Sequence, residues 1–133
     1  MKEKWKEVQK MTNTLELRDK LINLISNASE VKAYHITAPK DESYPYSVFS
    51  FKRTISDTVE WYILTVDVWD SYETTSRVDT ITDRIEKALD MQLIRSNSFY
   101  ATIYKGNRQN VDDQDKQIKR AQIEFTLHIV ERN

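Results

Sequence analysis

Hydrophobic positions along this chain change period several times, and each change marks an element. Leu17, Leu21, Leu24, Ile25 and Ala28 recur at helical spacing, and Asn13 with Glu16 has the form of a capping box. The pattern predicts a helix that ends in Ser26 to Ser29. Val31 to Ile36 reads as a short strand, and Pro39, Asp41 and Ser43 mark a polar connection. Tyr46 to Thr54 and Val59 to Trp69 are rich in aromatic and β-branched residues, as strands are. Ser56, Asp57 and Thr58 between them suggest a hairpin with a loop longer than two residues.

Asp70 to Ser76 leads into a second amphipathic helix with Val78, Ile81, Ile85, Ala88 and Leu89 on its apolar stripe. Ser76 with Asp79 offers a cap, and Glu73/Arg77 and Asp83/Lys87 offer favourable pairs on its outer side. Ser98 to Tyr104 reads as a strand and Gly106 to Lys116 as a polar loop. In the last strand, about Ile118 to Val130, Ala121, Ile123, Phe125, Leu127 and Ile129 alternate with Gln122, Glu124, Thr126 and His128. The order α-β-β-β-α-β-β predicts an α+β fold. Its antiparallel or mixed sheet would have about five strands, with two helices packed on one face.

Two of these strands are apolar on both sides. Tyr62, Leu64, Val66 and Val68 form one face of the third strand, and Val59, Trp61, Ile63 and Trp69 form the other. The second strand has Tyr46 and Val48 on one side and Phe49 and Phe51 on the other. Two helices shelter one face of a sheet. The surplus apolar surface predicts a subunit interface, for which Trp61, Ile63, Trp69, Phe49 and Phe51 are the candidates. The alternative is cover by residues 1–12, where Trp5, Val8 and Met11 stand at helical spacing. That segment reads as an arm or a helix extension, with residues 13–133 as one domain and Met11 as an alternative start.

Composition narrows the chemistry. With no cysteine, thiolate metal sites, disulfides and cysteine nucleophiles are excluded. A single glycine cannot build a phosphate loop, a dinucleotide fingerprint or a nucleophile elbow. A net charge of -1 from interspersed charges argues against a general nucleic-acid or membrane-surface binder. The charged start and the lack of a long apolar run lead to the expectation of a soluble protein that stays in the cell, or in particles assembled there.

His35 and His128 lie on separate strands without metal-ligand spacing. Asp112, Asp113 and Asp115 lack the glycine and closing glutamate of a calcium loop and read as a solvated loop. Lys105, Arg108, Lys116, Lys119 and Arg120 near aromatics are what a single-strand binder uses, but the neighbouring aspartates cancel much of that field. No catalytic residue, metal site or cofactor is expected.

Three stretches carry a family resemblance: the opening helix LRDKLINLI, Tyr44-Pro45-Tyr46-Ser47-Val48, and Leu64-Thr65-Val66-Asp67-Val68-Trp69-Asp70 running into the second helix. With the closing strand RAQIEFTLHIV, the chain from about residue 15 to 131 resembles the tail-completion proteins of long-tailed phages and prophages. These are also described as tail terminators or head–tail joining proteins. The resemblance implies a non-enzymatic structural protein, assembled in the host cytoplasm and residing in the virion at the head–tail junction. Its partners would be other copies of itself in a ring, commonly a hexamer, the tail-tube protein and the head connector or adaptor. No membrane is involved, and DNA would meet it only in passage through the ring. Partner contacts are expected in the loops, at Lys40, Asp41 and Glu42 and at Arg108, Asp112, Asp113, Asp115 and Lys116. The competing readings are a small ligand-binding domain with an aromatic pocket and a nucleic-acid-binding module.

Overall fold

The computed structural model describes residues 13–56 and 59–132. Residues 1–12 with Trp5, and the turn residues Asp57 and Thr58, lie outside them. The elements in chain order are α1 (Asn13–Ser29), β1 (Ala33–His35), β2 (Tyr46–Ser56), β3 (Val59–Ser71), α2 (Ser76–Leu89), β4 (Leu93–Arg95), β5 (Phe99–Val111) and β6 (Ile118–Glu131). The six strands form one mixed sheet in the order β1-β2-β3-β6-β5-β4. Among the described residues, the β1–β2 pair is parallel and the other pairs are antiparallel. Both helices pack on the same face, so the fold is α+β as the order of elements predicts.

The core lies between that face and the helices. Leu64, Val66 and Val68 of β3, Ile123, Phe125 and Leu127 of β6, and Phe99 and Ile103 of β5 are buried from the sheet side. Leu17, Leu21 and Ile25 of α1 and Val78, Ile85 and Leu89 of α2 close over them. Each such side chain contributes about 1.5–3 kcal/mol by leaving water, which makes this layer the source of the fold's stability.

Three sequence expectations need correction. β4 is a sixth strand; with three residues it offers no run long enough to show an alternation. Gly106 to Val111 are strand rather than loop, so β5 extends well beyond Tyr104 and the loop shrinks to residues 112–117. The strand absorbs an irregularity between Lys105 and Arg108, where a Cβ on Gly106 would stand 3.0 Å from the Glu124 carbonyl oxygen. That close approach is why the one glycine is here. Finally, Ser76 and Asp79 do not cap α2. Thr75 holds the N-cap position without a side-chain bond, and Asp79 Oδ1 accepts from Asn110 Nδ2 at 2.9 Å.

Scarce glycine shows elsewhere too. Glu30, Ile36 and Met91 adopt left-handed backbone (φ 63°, 73° and 64°), which side chains other than glycine's resist. Glu30 closes α1, donating its N–H to the Ser26 carbonyl. Ile36 is the most unfavourable of the three because its side chain is β-branched; such positions cost on the order of 1–3 kcal/mol.

Candidate assembly surfaces

Side chains on the sheet face away from the helices come from alternate residues of every strand. The register puts Trp61, Ile63, Thr65, Asp67 and Trp69 of β3 beside His128, Thr126, Glu124, Gln122 and Arg120 of β6. No second layer covers this face among the described residues. Several of its aromatics are contacted by neighbouring side chains. His128 stacks on Trp61 with centroids 4.7 Å apart, and the Arg120 guanidinium sits 4.7 Å over Trp69. Arg132 lies 4.9 Å over Tyr100. Arg120 is itself fixed, donating Nε–H to Asp67 Oδ1 at 3.0 Å, and Gln122 donates to the same oxygen. Ile63, between the two tryptophans, is 37% exposed.

The five candidate interface residues therefore divide. Trp61, Ile63 and Trp69 share the open face. Phe49 and Phe51 do not: they point toward the helices, Phe49 is buried in the core and Phe51 packs half-buried against it. The β2–β3 register is the reason, since Phe49 pairs with Val66 and Phe51 with Leu64, both core residues. Tyr46 and Val48 occupy the open face instead. Tyr44, Tyr46 and Tyr34 cluster there, and Tyr34 donates its hydroxyl to Glu42. Burial, followed by the neighbouring Tyr44, raises the Tyr46 pKa above its ordinary value.

The loop residues divide similarly. Lys40 and Asp41 are exposed on the segment returning from β1 to β2, whereas Glu42 is half-buried against Tyr34 with Lys32 at 4.0 Å. Asp112, Asp115 and Lys116 are exposed in the β5–β6 turn. Two of the turn's carboxylates fold the loop: Asp113 accepts from the Asp115 N–H and Asp115 from the Gln117 N–H, each at 3.0 Å. Arg108 is no loop residue. It lies in β5 and points to α2, bonding Asp83 at 2.5 Å, Glu86 at 3.5 Å and the Asp79 carbonyl at 3.2 Å. These partners outweigh its partial burial and raise its pKa further. Asp83 is thereby taken from the expected pair with Lys87, and Arg77 pairs with buried Asp70 rather than Glu73.

His35, stacked on Phe51 and tilted against Phe49, and His128 on β6 are separated by two strands. No group of three His, Asp or Glu among the described residues is placed to hold a metal. Open clefts of about 500 Å³ and 590 Å³ border Arg95 and Arg132 and the Tyr72–Lys116 corner, and their walls do not include Trp61, Ile63 or Trp69. The aromatic surface is a sheet face, not a pocket.

No family model matches the chain, and no curated protein matches its sequence. Its fold is nonetheless similar to that of a chain in the virion of a native gene transfer agent (GTA) particle. The TM-score is 0.62 at 10% identity, over 82% of this chain and 85% of that one. At that identity, what the two chains share is a fold.

Proposed function

We propose that this chain is a structural, non-enzymatic component of a phage-like virion, acting at the head–tail junction. There it occupies the growing end of the tail tube, stops elongation and joins the tube to the head connector. The observation that carries this reading is the sheet face with half-buried Trp61 and Trp69 and exposed Ile63, on which no second layer lies among the described residues, on a fold shared with a virion chain. A flat amphipathic face suits contact with another protein, because apolar side chains there gain by leaving water while Thr65, Thr126 and Gln122 supply a polar surround.

Base stacking fits this face poorly. Trp61, Trp69 and Tyr100 each already have a ring or guanidinium on one face, which leaves a nucleobase less of each ring to stack on. DNA in this reading only passes by. Capping requires that the subunit match one interface of the tube protein and lack the next. The loops bearing exposed Lys40 and Asp41 and exposed Asp112, Asp115 and Lys116 are the surfaces we assign to the connector or tube.

The test is tail morphology in particles made without this chain, measured by electron microscopy. Tubes of uncontrolled length, or complete tails that fail to join heads, are the expected result. Normal joined particles would overturn the reading.

A further inference from the structure

The two edges of the sheet are stepped, and the steps are complementary. On one edge β1 covers only the start of β2, pairing with Ser47, Val48 and Phe49. Beyond them β2 continues to Ser56 with no outer neighbour among the described residues. On the other edge β4 covers only the start of β5, pairing with Tyr100, Ala101 and Thr102. From Gly106 to Val111 the outer side of β5 is open in the same sense.

Strand registers fix the level of each step. Ser47 and Phe49 lie opposite Val68 and Val66, these opposite Ala121 and Ile123, and these opposite Asn110 and Arg108. The β1 projection thus stands at the level of the open part of β5. Thr102 lies opposite His128, His128 opposite Trp61, and Trp61 opposite Thr54. The β4 projection thus stands at the level of the open part of β2. Each edge protrudes where the other is recessed. The directions also agree: three antiparallel pairings separate β2 from β5, so they run oppositely, and β1 runs opposite to β5.

Each projection ends in a residue of unusual conformation. Ile36 follows β1, donating its N–H to the Phe49 carbonyl at 2.8 Å before its left-handed backbone turns the chain out. Met91 precedes β4, donates its N–H to the Ile103 carbonyl at 2.8 Å and is also left-handed. Both are 67% exposed, so their own subunit gives neither side chain a packing reason for its position. Ile36 lies beside Phe49 and Met91 beside Ile103, whose partner chain leads through Leu127 and Tyr62 to Arg53. In a side-by-side repeat the two therefore approach the same corner, where exposed Leu93 and Tyr104 also lie.

We propose that a second copy of this chain docks edge to edge. The β1 projection of one copy enters the recess beside Gly106–Val111 of the next, and β4 of the next, with Met91 and Gln92 before it, enters the recess beside residues 52–56 of the first. Ile36 and Met91 are buried where the steps meet. The contact joins two different surfaces and so repeats head to tail, closing into a ring when the rotations sum to a full turn. This inference rests on the assembly reading. It leaves the face bearing Trp61, Ile63 and Trp69 for the other proteins of the particle.

The cysteine-free chain makes a direct test available. Full-length Ile36→Cys, Met91→Cys and the double variant are oxidised, both as concentrated purified protein and within isolated particles. The double variant should give a covalent ladder and a mixture of the single variants a dimer, while each single variant alone gives neither. Ile36→Gly, which accepts the left-handed backbone, should fold at least as well as the parent yet associate roughly tenfold more weakly by sedimentation. Dimers from a single variant alone, or no ladder in either setting, overturn the edge contact. Normal heads, tails and tail lengths without the chain would instead overturn the assembly reading beneath it.

Discussion

The two faces of the sheet use similar residues for opposite ends. Toward the helices, Leu64, Val66, Ile123 and Phe125 are sealed under α1 and α2. Away from them, Trp61 and Trp69 have polar neighbours on them, His128 and Arg120, and Ile63 is exposed. Alternation along β3 sends successive residues to one environment or the other, so each strand serves the core and the outer surface at once. The lesson is that apolar content alone does not locate a core. Only the register across strands says which apolar residues are consumed by folding and which remain for a partner.

The comparison can be broken most forcefully in the core. Phe125→Ala should lower unfolding free energy by about 3–5 kcal/mol, measured by denaturant titration. Trp61→Ala on the opposite face should cost no more than about 1 kcal/mol, yet impair incorporation into particles. Equal losses of stability at the two positions would erase the distinction between the faces.

Gly106→Ala probes the join between β5 and β6. Its methyl group would press on the Glu124 carbonyl, so a loss of about 1 kcal/mol is expected, with faster amide exchange around Lys105 to Arg108. A neutral result would mean that the irregular pairing there gives way readily.

The smallest effect concerns His35. Burial between Phe49 and Phe51, and then the charge of Arg18, lower its pKa from the ordinary value of 6.5. The folded state binds this proton less readily than the unfolded state. Its contribution is therefore complete above about pH 6.5 and declines as pH falls from there through the lowered folded value. Stability measured across that window should slope for the parent chain and less for His35→Gln.

Much of this architecture is legible in the chain. Both helices announce themselves through Leu17, Leu21 and Ile25 and through Val78, Ile81 and Ile85, and β6 through its strict alternation. What was hidden is instructive. The second half of β5 has no apolar alternation because its inward residues, Lys105, Arg108 and Asn110, meet Glu86, Asp83 and Asp79 of α2 instead of the core. Acidic residues at helical spacing facing alternate polar strand residues would have been the signal. The inward placement of Phe49 and Phe51 is illegible for a different reason. Each strand shows two apolar faces, and no local pattern says which face of β2 joins which face of β3 until pairing fixes it. The edge steps were out of reach because they depend on β4 and on strand lengths.

The central claim is that the sheet face bearing Trp61, Ile63 and Trp69 is occupied by another protein in the particle. Hydroxyl-radical footprinting of the free protein and of intact particles tests it most directly. The account predicts that Trp61 and Trp69 are oxidised in the free chain and protected in the particle, with buried Phe125 unreactive in both. Equal oxidation of the two tryptophans in both states would contradict it.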